Sequence, residues 1–256
     1  MPAVTLLARV YNSFQQKAFE KDLKAKFEGL QVAARVYAVT GRGWVQIDIS
    51  GEDQKVALRL LADEVGACPE KLDNLEKFAT INGRIITLNK SKDKLYVDIG
   101  LFSPNVIDAA TPLQHLQAQL VDGRKIALKK IIELFGFCDN LPVNVKILNV
   151  DRENGKVETS LSEKQLAQYR NWALSLLDRL IVLGASAYGV KIALETAECE
   201  RDVVDVAPLG FFENAIVCKL GTDAAGLIPK VGRKLRNATF TIFSPRKINE
   251  FLEAKL

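Results

Sequence analysis

The densest set of residues able to meet a polyanion lies near the C-terminal end, between Lys219 and Lys247. Lys219, Lys230, Arg233, Lys234, Arg236, Arg246 and Lys247 carry positive charge there, against a single acid, Asp223. Gly221, Gly226 and Gly232 interrupt the run and allow close backbone approach, so helix amides near them could join the cations on phosphate. The stretch holds no GxxxxGK[ST] phosphate loop, and its glycine spacing does not match a GXXG loop. The bland reading is a solvated basic surface.

Catalytic chemistry is poorly represented. The chain has one histidine, His115, so any Ser-His-Asp or Cys-His arrangement would depend on it. No GxSxG nucleophile elbow, GxGxxG opening or metal-carboxylate signature occurs. The four cysteines, Cys68, Cys138, Cys199 and Cys218, are scattered without a CxxC pair and offer no zinc set. These residues predict a protein that is not an enzyme and uses neither metal nor cofactor. The net charge of +4 permits a polyanionic partner without demanding one. No stretch approaches the ~20 apolar residues that span a bilayer. Met1-Pro2-Ala3 shows no signal-peptide layout, which predicts a cytoplasmic protein without a membrane partner.

The elements that must position these residues read as three units, over 1–70, 76–162 and 163–256. In the first, Val4–Val10 is a short apolar strand, and a helix from about Phe14 places Phe19, Leu23, Phe27 and Leu30 on one side. Lys17, Lys21 and Lys24 share another face. Strands Val32–Val39 and Trp44–Ile49 flank a Thr40-Gly41-Arg42-Gly43 turn, and a second helix follows from Glu52 to about Val65. This β-α-β-β-α order resembles a ferredoxin-like α/β plait without its final strand. Ala67-Cys68-Pro69 through Glu76 reads as a linker, because Pro69 disfavours continuing the helix and the segment is polar.

In the second unit, strands are predicted over Ala79–Leu88, Leu95–Ile99 and Asp108–Leu113, with a charged loop over 89–94. Two readings compete further on. Residues 119–128 form a hairpin around Asp122-Gly123, or Lys125–Phe135 forms a helix with Ile126, Ile131, Ile132 and Phe135 inward. Val143–Asp151 and Lys156–Leu161 then alternate apolar and polar residues on either side of Asn154-Gly155, a strong hairpin signal. This closing hairpin resembles that of the small OB-fold RNA-binding domain found in bacterial ribosomal protein S-one. The resemblance implies a five-stranded OB barrel in which Tyr96, on the second strand, stacks an unpaired base. By the same resemblance Arg84, Lys94, His115, Lys146 and Arg152 are candidates for phosphate or base contact.

In the third unit, Ser162-Glu163-Lys164-Gln165 reads as a capping box in which Gln165 reaches back to Ser162. It opens a helix of roughly twenty residues carrying Leu166, Tyr169, Trp172, Leu176, Leu177 and Leu180 on an apolar face. A weaker helix (Ala185–Thr196), strands near 203–206 and 215–220, a helix over 224–235, a strand over 238–243 and a final helix opened by Ser244-Pro245 complete a small α/β domain. No tandem repeat links the two end units.

Across the whole length, "LLARVY", "LYVDIG", "DAATPLQHLQAQLVDGRKIALKKI", "DNLPVNVKI" and "CKLGTDAAGLIPKVGRKL" together resemble a conserved archaeal family of uncharacterised cytoplasmic proteins. That family is known as a domain of unknown function with an OB unit at its centre. The resemblance implies a link to RNA or the ribosome and no catalytic residues. The combined expectation is an α+β multi-domain, non-catalytic RNA-binding protein of the translation or RNA-processing machinery. Single-stranded or ribosomal RNA would be its partner, met by the barrel residues and by Lys219, Lys230, Arg233, Lys234 and Arg236. The alternative is an adaptor that docks ribosomal or RNA polymerase proteins.

Overall fold

A computed structural model describes residues 3–88 and 91–254. Met1, Pro2, the last two residues, and residues 89 and 90 of the loop expected over 89–94 lie outside them. The fold is mixed α+β and comprises, in chain order, a three-stranded sheet, a closed five-stranded barrel and a four-stranded sheet. The chain divides into two compact units, Met1–Asn74 with Gly100–Asn105, and Leu75–Ile99 with Val106–Leu256.

The first unit has the expected β-α-β-β-α order: β1 (Ala3–Arg9), α1 (Ser13–Lys26), β2 (Val32–Val39), β3 (Trp44–Gly51) and α2 (Gln54–Glu64). The strands pair antiparallel in the order β1-β3-β2. Phe19, Leu23 and Phe27 of α1 are buried together with Ile47, Ile49 and Trp44, so the tryptophan belongs to the core and not to the sheet edge. Lys17, Lys21 and Lys24 form a solvated face. Asn12, whose side chain accepts from the Gln15 amide, caps α1. The stretch read as a linker is not slack. Leu7 donates to the Gly66 carbonyl and Cys68 to that of Thr5, so residues 66–68 run along the free edge of β1. They occupy the place of a final plait strand, where an open edge would expose unpaired backbone groups.

In the second unit the barrel strands are β4 (Thr80–Ile86), β5 (Lys94–Leu101), β6 (Ile107–Pro112), β7 (Pro142–Asp151) and β8 (Lys156–Leu161), closed in the order β4-β5-β6-β8-β7. β4 pairs antiparallel with β5 and β7, β7 pairs antiparallel with β8, and β6 runs parallel to β8. Alternation sends Ile85, Val97, Ile99, Val143, Val145, Ile147, Val157 and Leu161 inward, where each is buried. Thr111 and Thr159, also inside, satisfy one another at 2.8 Å. The region between β6 and β7 holds two helices, α3 (Leu113–Leu120) and α4 (Leu128–Phe135). Asp122-Gly123 turns the chain between them, both residues at positive φ, so the helix reading holds over 128–135, leaving Lys125 and Ile126 outside the helix, and the hairpin reading does not hold.

Helix α5 (Glu163–Leu174) ends well short of twenty residues. Leu176 takes a left-handed φ of 57°, and the chain enters β9 (Arg179–Leu183). Every residue of β9 is buried, because it sits inside the sheet β10-β11-β9-β12. A strand covered on both faces reads as a continuous apolar run, which periodicity does not separate from a helix. Ser162 caps α5 through the Gln165 amide, but Gln165 does not reach back. The Ser162 amide is already taken by the Asn144 carbonyl, and the Gln165 carboxamide accepts from the Asn144 amide instead. The remaining elements are α6 (Ala187–Thr196), β10 (Val203–Pro208), β11 (Glu213–Cys218), α7 (Ala224–Gly232), β12 (Thr239–Phe243) and α8 (Pro245–Glu253). Their β-α-β-β-α-β order, with β11 beside β9, repeats the connectivity of the first unit and adds a regular last strand.

Besides a buried ion pair described below, three features fasten the barrel to the C-terminal sheet. Phe135, Phe137, Tyr169, Trp172 and Phe243 form one aromatic cluster, in which Tyr169 stacks on Phe243 at 5.9 Å. Gly136, at φ 63°, lets α4 end against β12, and a Cβ there would stand 2.2 Å from the Ile242 carbonyl oxygen. The Arg124 guanidinium caps α8, donating to the carbonyls of Phe251, Leu252 and Ala254, where the helix dipole favours a cation.

Candidate nucleic-acid interface

The barrel separates the residues expected to share one binding face. Tyr96, half-buried on β5, stands opposite Ile86, whereas Lys146 on β7 stands opposite Thr80. Six residues of β4 separate these positions, about 20 Å along the strand. Lys94 is exposed two residues before Tyr96. His115, in the first turn of α3, lies 3.4 Å from Glu158 of β8, so a carboxylate neighbours the imidazole. Lys94, Tyr96 and His115 therefore belong to the part of the barrel built by β5, β6 and α3. Lys146 and Arg152 belong to the part where β7 and the β7–β8 turn meet the start of β4.

Arg84 reaches no surface. Its outward position on β4 is covered by the C-terminal sheet, leaving it 4% exposed, and it pairs with fully buried Glu213 at 2.9 Å. It also donates to the Asn140 carbonyl. Asp98, opposite Arg84 on the same face, is buried as well. A lone arginine on a strand carries no sequence sign of a buried partner more than a hundred residues away. Arg84 is thus a joint within this unit and not a group that solvent-borne RNA can meet.

A surface feature that sequence reading passed over lies at the start of β4. Phe78 is 61% exposed with a left-handed φ of 69°. The ammonium of Lys77 lies 5.2 Å from its ring centroid and that of Lys146 lies 5.6 Å away. Both are within cation–π range. The Arg152 guanidinium sits at 3.5 Å from the Leu75 carbonyl, beside the same segment. The visible signal was Lys77-Phe78 immediately before a strand, but only the pairing of β4 with β7 brings Lys146 to the ring.

The C-terminal basic run also divides. Lys219 follows β11 and precedes α7, while Lys230, Arg233, Lys234 and Arg236 cluster at the far end of that nine-residue helix. All five are exposed. The α7 N-terminus is occupied by its own cap, since the Asp223 carboxylate accepts from the Ala225 amide. Four cations at the other end complement the negative end of the helix dipole, a local stabilisation that operates without any ligand. Arg246 is drawn into an i,i+4 pair with Glu250 at 2.7 Å, and that carboxylate raises its pKa.

Buried titratable groups sit where packing explains them. Burial, and then Asp139, pushes the Cys138 thiol up to about 12. Burial and the carboxylates of Asp178, Asp223 and Asp202 push Cys218 up to about 11. Such thiols are poor nucleophiles. Among the described residues no group of three or more His, Cys, Asp or Glu side chains could hold a metal ion. No helix among them is long and apolar enough to cross a membrane.

Among solved structures, an uncharacterized protein from Methanocaldococcus jannaschii is 9% identical with a TM-score of 0.23, the alignment covering 35% of this chain and 95% of that one. The a/eIF2alpha–aDim2p–rRNA complex from Pyrococcus horikoshii OT3 is 11% identical over 50% of this chain and 70% of that chain, at a TM-score of 0.26. The intact alpha subunit of aIF2 from Pyrococcus abyssi is 9% identical over 66% and 97%, also at 0.26. No curated protein matches the chain significantly. Three family models match in succession: the DUF2110 N-terminal domain over residues 3–71, its central domain over 75–173 and its C-terminal domain over 177–243. Together they take in nearly the whole chain in the family's own order, and the chain belongs to the DUF2110 family.

Proposed function

We propose that this is a non-catalytic RNA-binding protein of the translation or RNA-processing machinery, with an OB-fold barrel at its centre. One observation carries the reading. The barrel closes in the order β4-β5-β6-β8-β7 with β6 parallel to β8, and carries Tyr96, Lys94, Lys146 and Arg152 toward solvent or half-exposed. Barrels of this five-stranded Greek-key kind bind oligonucleotides on their strand faces and loops. An aromatic ring there stacks bases without regard to sequence while cations hold the backbone. The plait-like end units are scaffolds in this reading, with Lys230, Arg233, Lys234 and Arg236 adding phosphate contacts.

The test is binding of the full chain to a labelled single-stranded RNA across a salt series. Affinity should fall with a slope of about 0.7 log units per log unit of salt for each phosphate neutralised. Tyr96→Ala combined with Lys234→Ala should weaken it further. Absence of any salt-dependent affinity at low ionic strength would sink the proposal. Partners captured from native extract that survive nuclease treatment would favour a protein-docking adaptor instead.

A further inference from the structure

We infer that the seam between β4 and β7 is a binding site for single-stranded RNA, with an unpaired base stacked on Phe78. The site deepens the RNA-binding reading above and rests on it. Phe78 combines two uncommon features that Leu176 also shows, and the two ammoniums at its ring set it apart. A large apolar ring is left 61% exposed, and a non-glycine residue is held at φ 69°. The left-handed backbone is disfavoured for an L-residue, because its Cβ crowds the following carbonyl oxygen. The backbone around it is firmly held, because the Phe78 amide donates to the Ile147 carbonyl at 2.8 Å and the Ile147 amide donates to Ala79 at 2.9 Å. The ring is thus presented by the closed barrel and not by a loose loop.

The surroundings fit a nucleotide chain. Lys77 and Lys146 hold their ammoniums over the ring at 5.2 and 5.6 Å from its centroid, and a base stacking there displaces an ammonium from the ring face toward a flanking phosphate, a movement that the flexible lysine stem permits. Along the seam, Thr80 and Asn82 share the outward face of β4 by strand alternation, about 6.7 Å apart, and the Phe78 ring, just before the strand, reaches that face beside Lys146. Lys146 and Asn144 stand opposite Thr80 and Asn82. Asn144 donates to Asn82 at 2.7 Å, and both Thr80 and Asn82 are exposed. No carboxylate occurs in 77–82 or 144–146. The nearby acids are Glu76, Asp151 and Glu153, of which Asp151 is held by its own turn through Asn154. The seam ends where Arg84 enters its buried pair, so the path is open at one end and walled at the other.

The geometry favours single strands over duplex and over a protein partner. A duplex keeps its base faces stacked and out of reach, whereas an unpaired base presents a π face to the ring. A protein partner covering Phe78 would have to bring carboxylates to both ammoniums, because the seam carries none of its own, whereas every nucleotide of an RNA strand brings a phosphate.

The experiment measures binding of the full chain to a labelled single-stranded RNA decamer by fluorescence anisotropy, with the matching duplex and single-stranded DNA as competitors. Phe78→Ala should weaken binding about 5- to 150-fold, the span expected for one stacked base. Phe78→Trp should restore it. Phe78→Asn eases the left-handed backbone while removing the ring, so it should be at least as stable as the parent yet bind as weakly as Phe78→Ala. Lys146→Ala should reduce the salt slope by about 0.7, and Phe78→Ala should leave the slope unchanged. Duplex should compete poorly. If the parent binds RNA and the Phe78 variants bind equally well, the seam site is overturned while the RNA-binding reading stands. If the parent binds no RNA, both fall, and capture of a nuclease-resistant protein that protects Phe78 would assign the seam to protein docking.

Discussion

The pair Arg84–Glu213 offers the most decisive test of how the barrel and the C-terminal sheet are joined. Both side chains are out of solvent, at 4% and 0% exposure, with the charges 2.9 Å apart. At an effective dielectric of about 20 their attraction is roughly 6 kcal/mol, a gain largely offset by the cost of removing both ions from water. Removing one partner leaves the other charge buried, which costs about 3–5 kcal/mol. Arg84→Met should therefore lower stability by about that amount. For a cooperative unit of this size that is a melting-point drop of roughly 6–20 °C. The double variant Arg84→Met/Glu213→Leu should recover part of the loss, because the unpaired Glu213 charge is gone while Asp98, buried opposite residue 84, still lacks its cation. Gly210 belongs to the same joint, since a Cβ on it would meet the Glu213 carboxylate at 2.1 Å. Gly210→Ala should thus reproduce a fraction of the Arg84→Met effect. The measurement is urea unfolding followed by tryptophan fluorescence, Trp172 lying in the aromatic cluster at the junction. A single variant within about 1 kcal/mol of the parent, or a double variant no better than the single, would refute the reasoning.

Gly136→Ala should destabilise by about 1–3 kcal/mol, since it adds a Cβ against the Ile242 carbonyl at a left-handed backbone position. The denaturant midpoint reports it, and an unchanged midpoint would contradict the close approach of α4 to β12. Cys138 and Cys218, pushed up to about 12 and about 11, keep their protons in the native state when the unfolded thiols lose theirs near pH 9. Their contribution to stability is therefore complete below about pH 9 and is lost as pH rises toward the folded values. Stability should decline over that alkaline window, and Cys138→Ala/Cys218→Ala should flatten the decline. Alkylation by iodoacetamide at pH 8 should be slow in the native protein and fast in urea.

Local patterns carried most of the secondary structure. Period-two alternation around Asn154-Gly155 marked β7 and β8, and helical spacing marked the buried Phe19 and Leu23 of α1. Where the reading failed, the missing information was long-range. α5 was drawn too long because the fully buried β9 carries no alternation. Residues 66–68 looked like a linker because their partners are on β1, about sixty residues earlier. The reach of Gln165 was misassigned because Asn144 of β7 outcompetes the local cap.

By itself the sequence determined the element order of the first unit, the barrel hairpin, the scarcity of catalytic and metal-binding motifs, and which residues carry charge at the C-terminal end. Those properties depend on neighbours within a few positions, where periodicity, caps and turns act. Only the tertiary structure decided which of the charges meet. The C-terminal sheet buried Arg84 against Glu213, the pairing of β4 with β7 drew Lys146 beside Phe78, and the barrel register set Tyr96 about 20 Å along β4 from Lys146. The α7 helix likewise held Lys219 apart from the four cations at its other end. A strand's register moves every side chain it carries to one face or the other, and register is set by pairing across the chain.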